Sequence, residues 1–182
     1  MNMNRKEFVK AVGLAGAGLI LAPGAKSLPM EAVSKASTQS FDLGIASYTF
    51  RTLSLDETIA ATKRLGVSKL ALKSMHMPLD ASPQVIKAMA QKVRSAGIDL
   101  YGAGVIYMKT EQEVNGAFEY ARHAGIKMIV GVPNHEFLPL VERKVKEYDI
   151  KMAIHNHGPG DELYRSPTHV YDRIKTLDKR IG

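Results

Sequence analysis

Two histidines one residue apart, His155 and His157, stand at the end of an apolar run that begins at Ile150 and are followed at once by Gly158-Pro159. In extended backbone, residues i and i+2 share a face, so both imidazoles point the same way if the strand persists through Asn156. Paired imidazoles suit two kinds of chemistry: nitrogen ligation of a divalent metal, or proton exchange with a sugar hydroxyl. The plainer alternative is a polar rim that hydrogen-bonds nearby loops. The chain has no cysteine, which excludes thiolate ligands, Cys nucleophiles and disulfides. Any metal must be held by His and carboxylates, a donor set that suits Zn, Mn, Co or Mg.

The elements that position such a pair are legible from Phe41 onward, where short apolar runs alternate with amphipathic segments about five times, the pattern of parallel strands joined by crossover helices. Strands are expected at 41–48, 67–75, 98–108, 126–132 and 150–155. Helices are expected near 55–65, from Pro83 to Gly97, at 111–123 and 137–148, and after Ser166-Pro167. Ser54 and Glu57 have the spacing of a capping box, and Pro83 follows Ser82 as the first residue of a helix. The first three helices end in Leu65-Gly66, Ala96-Gly97 and Ala124-Gly125, with glycine where the left-handed turn into the next strand is expected. No Gly-rich phosphate loop follows the first strand, which reads Ser47-Tyr48-Thr49-Phe50-Arg51-Thr52; this counts against a doubly wound sheet, although periodicity alone leaves it and a (β/α) barrel close to even and the resemblance given below tips the balance to the barrel. At 182 residues the chain falls short of the roughly 250 of a complete eight-unit barrel. We expect an α/β fold with about five of eight units, a partial barrel.

In a barrel, functional side chains sit where strands end and βα loops begin. Those positions hold Ser47, Tyr48 and Arg51 after the first strand, Lys73 and His76 after the second, Tyr107 and Lys109 after the third, and Asn134, His135 and Glu136 after the fourth. Lys73 ends an otherwise apolar strand, Leu70-Ala71-Leu72, which leaves an inward functional position and a solvated surface lysine as equally open readings. His123 falls in the last turn of a helix, where a cation complements the helix dipole.

Residues 1–36 read as a leader outside the fold. Arg5-Lys6 and Phe8-Val9-Lys10 precede an apolar Gly/Ala-rich stretch to Ala22, too short to span a bilayer comfortably, and Ser34-Lys35-Ala36 offers a small-x-Ala cleavage site. The arrangement resembles a twin-arginine export signal with Lys in the second place, so a periplasmic or otherwise exported protein is expected, with no stable membrane anchor after cleavage. Residues 37–182 form the barrel domain. The formal charge of +7 is inflated by this leader, where five cations face two acids. The remaining Lys and Arg are scattered along helical faces instead of clustering with aromatics, so no nucleic-acid partner is expected.

Taken in order, Ala46-Ser47-Tyr48-Thr49-Phe50, Leu72-Lys73-Ser74-Met75-His76-Met77-Pro78, Gly104-Val105-Ile106-Tyr107-Met108 and Ala153-Ile154-His155-Asn156-His157-Gly158-Pro159 resemble the sugar phosphate isomerase/epimerase family of xylose isomerase-like TIM barrels. The resemblance covers nearly all of the chain after the leader. It implies a metal-dependent isomerase or epimerase of a sugar or keto-sugar that abstracts a proton beside the carbonyl. A dehydratase or lyase on the same scaffold and a non-catalytic carbohydrate-binding remnant are the alternatives.

Carried over residue by residue, it implies His155 as metal ligand where such proteins often have Glu. Lys73 and His157 are then expected in catalytic roles, and Tyr48, His76, Tyr107 and, from its strand-end position alone, Asn134 are expected to contact substrate. The remaining ligands in such proteins come from later strands, and Arg180-Ile181-Gly182 falls where a sixth strand is expected to begin. The partners expected are therefore a small-molecule sugar and, through the open edge, a second copy or a partner half-barrel.

Overall fold

A computed structural model describes residues 42–182; the expected leader lies outside the described residues. The capping box is formed. The Ser54 hydroxyl accepts the Glu57 amide at 3.3 Å, and the Glu57 carboxylate accepts the Ser54 amide at 2.7 Å, which starts α1 (Leu55–Arg64). Ser82 and Thr110 cap α2 (Pro83–Ser95) and α3 (Glu111–Ala124) in the same way, and Ser166 caps α5 (Pro167–Ile174). The helix α4 (Leu138–Tyr148) has no side-chain cap and is preceded instead by a 3-10 turn, His135–Phe137. Gly66, Gly97 and Gly125 all have positive φ, as the turns into the following strands require.

Between the helices run β1 (Gly44–Ala46), β2 (Lys69–Leu72), β3 (Asp99–Met108), β4 (Met128–Pro133) and β5 (Lys151–Ile154). All neighbours are parallel, in the order β1-β2-β3-β4-β5. Strictly sequential order decides between the two architectures weighed above. A doubly wound sheet reverses direction at a switch point, whereas a barrel adds each strand beside the last. The fold is five βα units of an α/β barrel in one open sheet.

Alternation sorts the side chains into two layers. On β2, Leu70 and Leu72 are fully buried on the face that meets the helices, and Ala71 between them points to the other face. The helical layer supplies Ile86, Val93, Val114, Phe118, Val141 and Val145 to the same core. Phe118 is fully buried with its ring 5.7 Å from that of Tyr148; burying a side chain of this size contributes about 1.5–3 kcal/mol.

The first strand is shorter than its sequence suggests. Ser47–Phe50 forms a 3-10 turn instead of continuing β1, because the Ser47 side chain is drawn inward. Its hydroxyl oxygen accepts the Lys73 amide at 2.8 Å and lies 2.9 Å from His76 Nδ1. His76 Nε2 lies 3.0 Å from the Leu53 carbonyl and 3.1 Å from Thr58 Oγ1. A carbonyl only accepts, so Nε2 carries the proton and Nδ1 accepts the Ser47 hydroxyl. His76 is 3% exposed. The expectation that it contacts substrate is corrected: the turn Lys73–Met77 folds it away from the strand end, and both ring nitrogens are engaged in tying β1, α1 and β2 together.

Beyond β5, the Met152 amide donates to Arg180 O at 2.8 Å, and the Gly182 amide donates to Met152 O at 2.9 Å. Met152 and Ile181 form a parallel bridge. A sixth strand position therefore begins where the sequence placed it. Its outer side, and the outer side of β1, have no strand partner among the described residues.

Two predictions follow from this architecture. The His76→Ala chain, which leaves buried Ser47 and Thr58 without their partner, should lose about 1–3 kcal/mol of stability, read as a lower urea midpoint; an unchanged midpoint would contradict the role assigned to His76. Unpaired strand edges template association, so light scattering of the 182-residue chain should show oligomers, and a monodisperse stable monomer would count against this.

Candidate functional site

The inner face of the sheet is lined by small residues, Ala46 on β1, Ala71 on β2, Gly104 on β3 and Val130 on β4, and the space they leave is a groove of about 500 Å³. Two irregularities of β3 shape it. Pairing with β2 passes from Leu100 to Gly102, and pairing with β4 passes from Gly104 to Ile106. The two residues skipped, Tyr101 and Val105, both line the groove, as a bulge that re-aims a side chain would place them.

The rim carries Tyr48, Lys73, Tyr107, His155 and His157, all at or just past the C-terminal ends of their strands. Lys73 follows Ala71 by two residues and so keeps to the inner face, and His155 and His157 stand in the same relation to Ala153. Regular pairing of β5 ends at Ile154, yet the His155 amide still donates to Gly131 O at 2.9 Å. The extended backbone therefore persists far enough for both imidazoles to reach one wall.

Their Nε2 atoms are 3.1 Å apart and the rings meet edge to face at 86°. His157 Nδ1 lies 3.2 Å from the Asp161 carboxylate. Asp161 accepts the amides of Leu163 at 2.9 Å and Tyr164 at 3.0 Å. The Tyr164 amide, then the Leu163 amide and the His157 side chain, hold its carboxyl below the ordinary range against the effect of burial. An ionised carboxylate only accepts, so His157 Nδ1 carries a proton, and the gap between the two Nε2 atoms has room for one more. Burial foremost, then the charges of His157 and Lys73, hold the His155 imidazole below the ordinary histidine value, with Asp161 opposing. The result is an Asp161–His157–His155 chain that opens on the groove, with the charged form of its inner imidazole disfavoured. Tyr164 secures the loop that carries Asp161: it is fully buried and its hydroxyl donates to Pro133 O at 2.7 Å.

Across the mouth, Lys73 Nζ and Arg51 Cζ each lie 5.4 Å from the centroid of the Tyr48 ring, within the range of a cation–π contact. Tyr48 and Tyr107 are about half exposed, so two aromatic faces with hydroxyl tips border the opening.

Of the residues expected at the site, the structure brings Tyr48, Lys73, Tyr107, His155 and His157 together and leaves His76 and Asn134 out. Asn134 turns to Glu136, donating to its carboxylate at 3.2 Å, because the chain passes directly from β4 into a 3-10 turn. His135 donates to Leu163 O at 2.9 Å and packs its ring edgewise on Tyr164. Asp161 and Tyr101 were not anticipated. Asp161 had a faint signal, a carboxylate four residues after His157 behind a Gly-Pro-Gly turn. Tyr101 had none, since a bulge alone turns it inward.

The donors fit a divalent centre only in part. His155 and His157 present two nitrogens close together, but among the described residues no group of three His or carboxylate side chains is placed to hold a metal. A catalytic zinc centre takes three protein ligands and a water. The described residues do not compose such a centre on their own.

The sequence matches no protein-family model and no curated protein. Among solved structures, an uncharacterised protein from Parabacteroides distasonis is similar, with 25% identity and a TM-score of 0.67 over 78% of this chain and 61% of that one. A xylose isomerase domain containing protein from Salmonella typhimurium matches at 17% identity and TM-score 0.54, covering 74% of this chain and 56% of that one. A xylose isomerase-like TIM barrel/4-hydroxyphenylpyruvate dioxygenase fusion protein matches at 13% identity and TM-score 0.59, over 79% of this chain and 26% of the fusion. The chain thus spans about three fifths or less of the length of these proteins. Their shared architecture agrees with the sequential parallel sheet, and the fold of this chain is that of part of a xylose isomerase-like TIM barrel.

Proposed function

We propose that the groove is the substrate site of a sugar or keto-sugar isomerase or epimerase that moves a proton at the carbon beside a carbonyl. The observation that carries this reading is the imidazole pair backed by Asp161 and facing Lys73 across an opening bordered by tyrosines. The apolar walls and the faces of Tyr48 and Tyr107 accept the C–H surface of a sugar, and their hydroxyls meet its own.

His157, held by Asp161, takes the proton from carbon, and His155 shares it across the 3.1 Å gap. The electron pair left on carbon passes to the carbonyl oxygen, where the Lys73 ammonium stabilises the enediolate. For an isomerase, the hydroxyl proton of that carbon moves to the former carbonyl oxygen while the abstracted proton returns to the former carbonyl carbon; for an epimerase, His157 keeps the first proton and Lys73, on the facing wall, protonates the same carbon from its opposite face. A divalent cation at His155 (Zn, Mn, Co or Mg) would need further donors from outside the described residues, and no step above passes through one.

Residues 1–36 are proposed as an export signal, on their charge and apolar pattern alone. No helix among the described residues is long and apolar enough to cross a membrane.

Incubating the chain in D₂O with a panel of aldoses and ketoses tests the reading. Deuterium should appear beside the carbonyl, and His157→Ala should slow its entry about 100-fold or more. His155 must be unprotonated to share the proton, so its contribution to the rate should be lost as pH drops through its lowered value. That His155-dependent limb should lie below the ordinary imidazole value of about 6.5 and be absent from His155→Ala. Sugar binding with no exchange would overturn catalysis in favour of a carbohydrate-binding role, and exchange with loss of water would mark a dehydratase.

A further inference from the structure

We infer that His135 is a positioning residue for proton transfer in the groove: it fixes the peptide between Leu163 and Tyr164, and through that peptide the Asp161 carboxylate that holds His157 in one tautomer. The inference rests on His157 moving the proton, as proposed above, and adds a residue outside the groove lining on which that step depends.

His135 Nε2 lies 2.9 Å from the Leu163 carbonyl oxygen. A carbonyl only accepts, so this nitrogen carries the proton. The Leu163 carbonyl and the Tyr164 amide are the two ends of one planar peptide unit, and that amide donates to Asp161 Oδ1 at 3.0 Å. The Leu163 amide reaches the same oxygen at 2.9 Å, which leaves Oδ2 to face His157 Nδ1 at 3.2 Å. Among the groups that lower the Asp161 carboxyl, the Tyr164 amide is foremost, and it belongs to the peptide that His135 grips. Hydrogen bonds thus run from His135 through peptide 163–164 and Asp161 to His157 and His155. Successive hydrogen bonds polarise one another, so the donor on the carbonyl end of this peptide strengthens the hold of its amide end on the carboxylate.

Two rings orient His135. Tyr164 meets it edge to face with centroids 5.1 Å apart, and His169 on α5 does so at 5.9 Å. His135 therefore ties the turn after β4 to the loop after β5 at the point where that loop presents Asp161. Tyr164 anchors the same loop through its own hydroxyl, so removing the His135 donor leaves the loop attached and changes what its peptide does.

Two variants separate the hydrogen bond from the packing. His135→Phe keeps a ring against Tyr164 without the donor, and His135→Gln restores a donor without the ring. At about pH 8.5, above the ordinary imidazole value of about 6.5, the ring-nitrogen shifts of His157 in the 182-residue chain report which nitrogen carries its proton. The Nδ1–H form should dominate in the parent chain and in His135→Gln, whereas in His135→Phe the Nε2–H form should gain roughly five-fold. Deuterium entry into the sugar should slow by a similar factor in kcat, with KM unchanged, and recover in His135→Gln. An unchanged His157 tautomer in a His135→Phe chain that circular dichroism shows to be folded would overturn the inference, whether or not any sugar exchanges. An equal tautomer shift in both variants would also overturn it, since the donor would then not matter. A shift confined to His135→Phe in a chain that exchanges no sugar would support the positioning and overturn the proposed reaction instead.

Discussion

Parallel pairing of five successive strands in sequence order is the constraint on which the site depends. Parallel strands all end on the same side, so one residue type placed after each of them arrives at a common rim without any further instruction. Tyr48, Lys73, Tyr107, His155 and His157 come from four different strands and from positions more than 100 residues apart in the chain, yet they border one groove. The small side chains of Ala46, Ala71 and Gly104 make the complementary contribution, since larger ones on the inner face would fill the space in which a ligand must lie.

Holding that rim in place consumes part of the polar inventory. Ser47 and His76 stand beside Tyr48 and Lys73 in the sequence and have the same chemical character as the site residues, but they are buried and hydrogen-bonded to each other. Together with Thr58 and the Leu53 carbonyl they clamp the 3-10 turn after β1 to the turn after β2, the two segments that present Tyr48 and Lys73. Tyr164 does the corresponding work on the opposite wall by fastening the loop after β5 to the end of β4. Chemistry at the mouth thus rests on polar groups that never reach it.

How much of this was legible in the sequence varies with the kind of signal. The helices were, because capping residues, N1 prolines and terminal glycines act within a few residues of one another. Lys73 and the two histidines were as well, since strand alternation alone turns them inward once the strands are recognised. His76 lies off the groove because a turn rotates it off the strand, and Asn134 is not among the groove-lining residues because the chain passes directly into a 3-10 turn; neither event leaves a mark in hydrophobic periodicity. Tyr101 reaches the groove only through a bulge fixed by pairing with β2, a long-range event. Asp161 lies in a loop whose path is set by where Tyr164 is buried.

The central claim is that one groove gathers these side chains into a single ligand site. It is tested most directly by titrating a sugar ligand into isotopically labelled chain and following the side-chain resonances of the tyrosines, histidines and Lys73. Shifts should concentrate on Tyr48, Lys73, Tyr107, His155 and His157 with a common saturation curve, while His76 and Asn134 stay nearly still. Shifts centred on His76 or Asn134, or scattered over the helical face with no common curve, would contradict it.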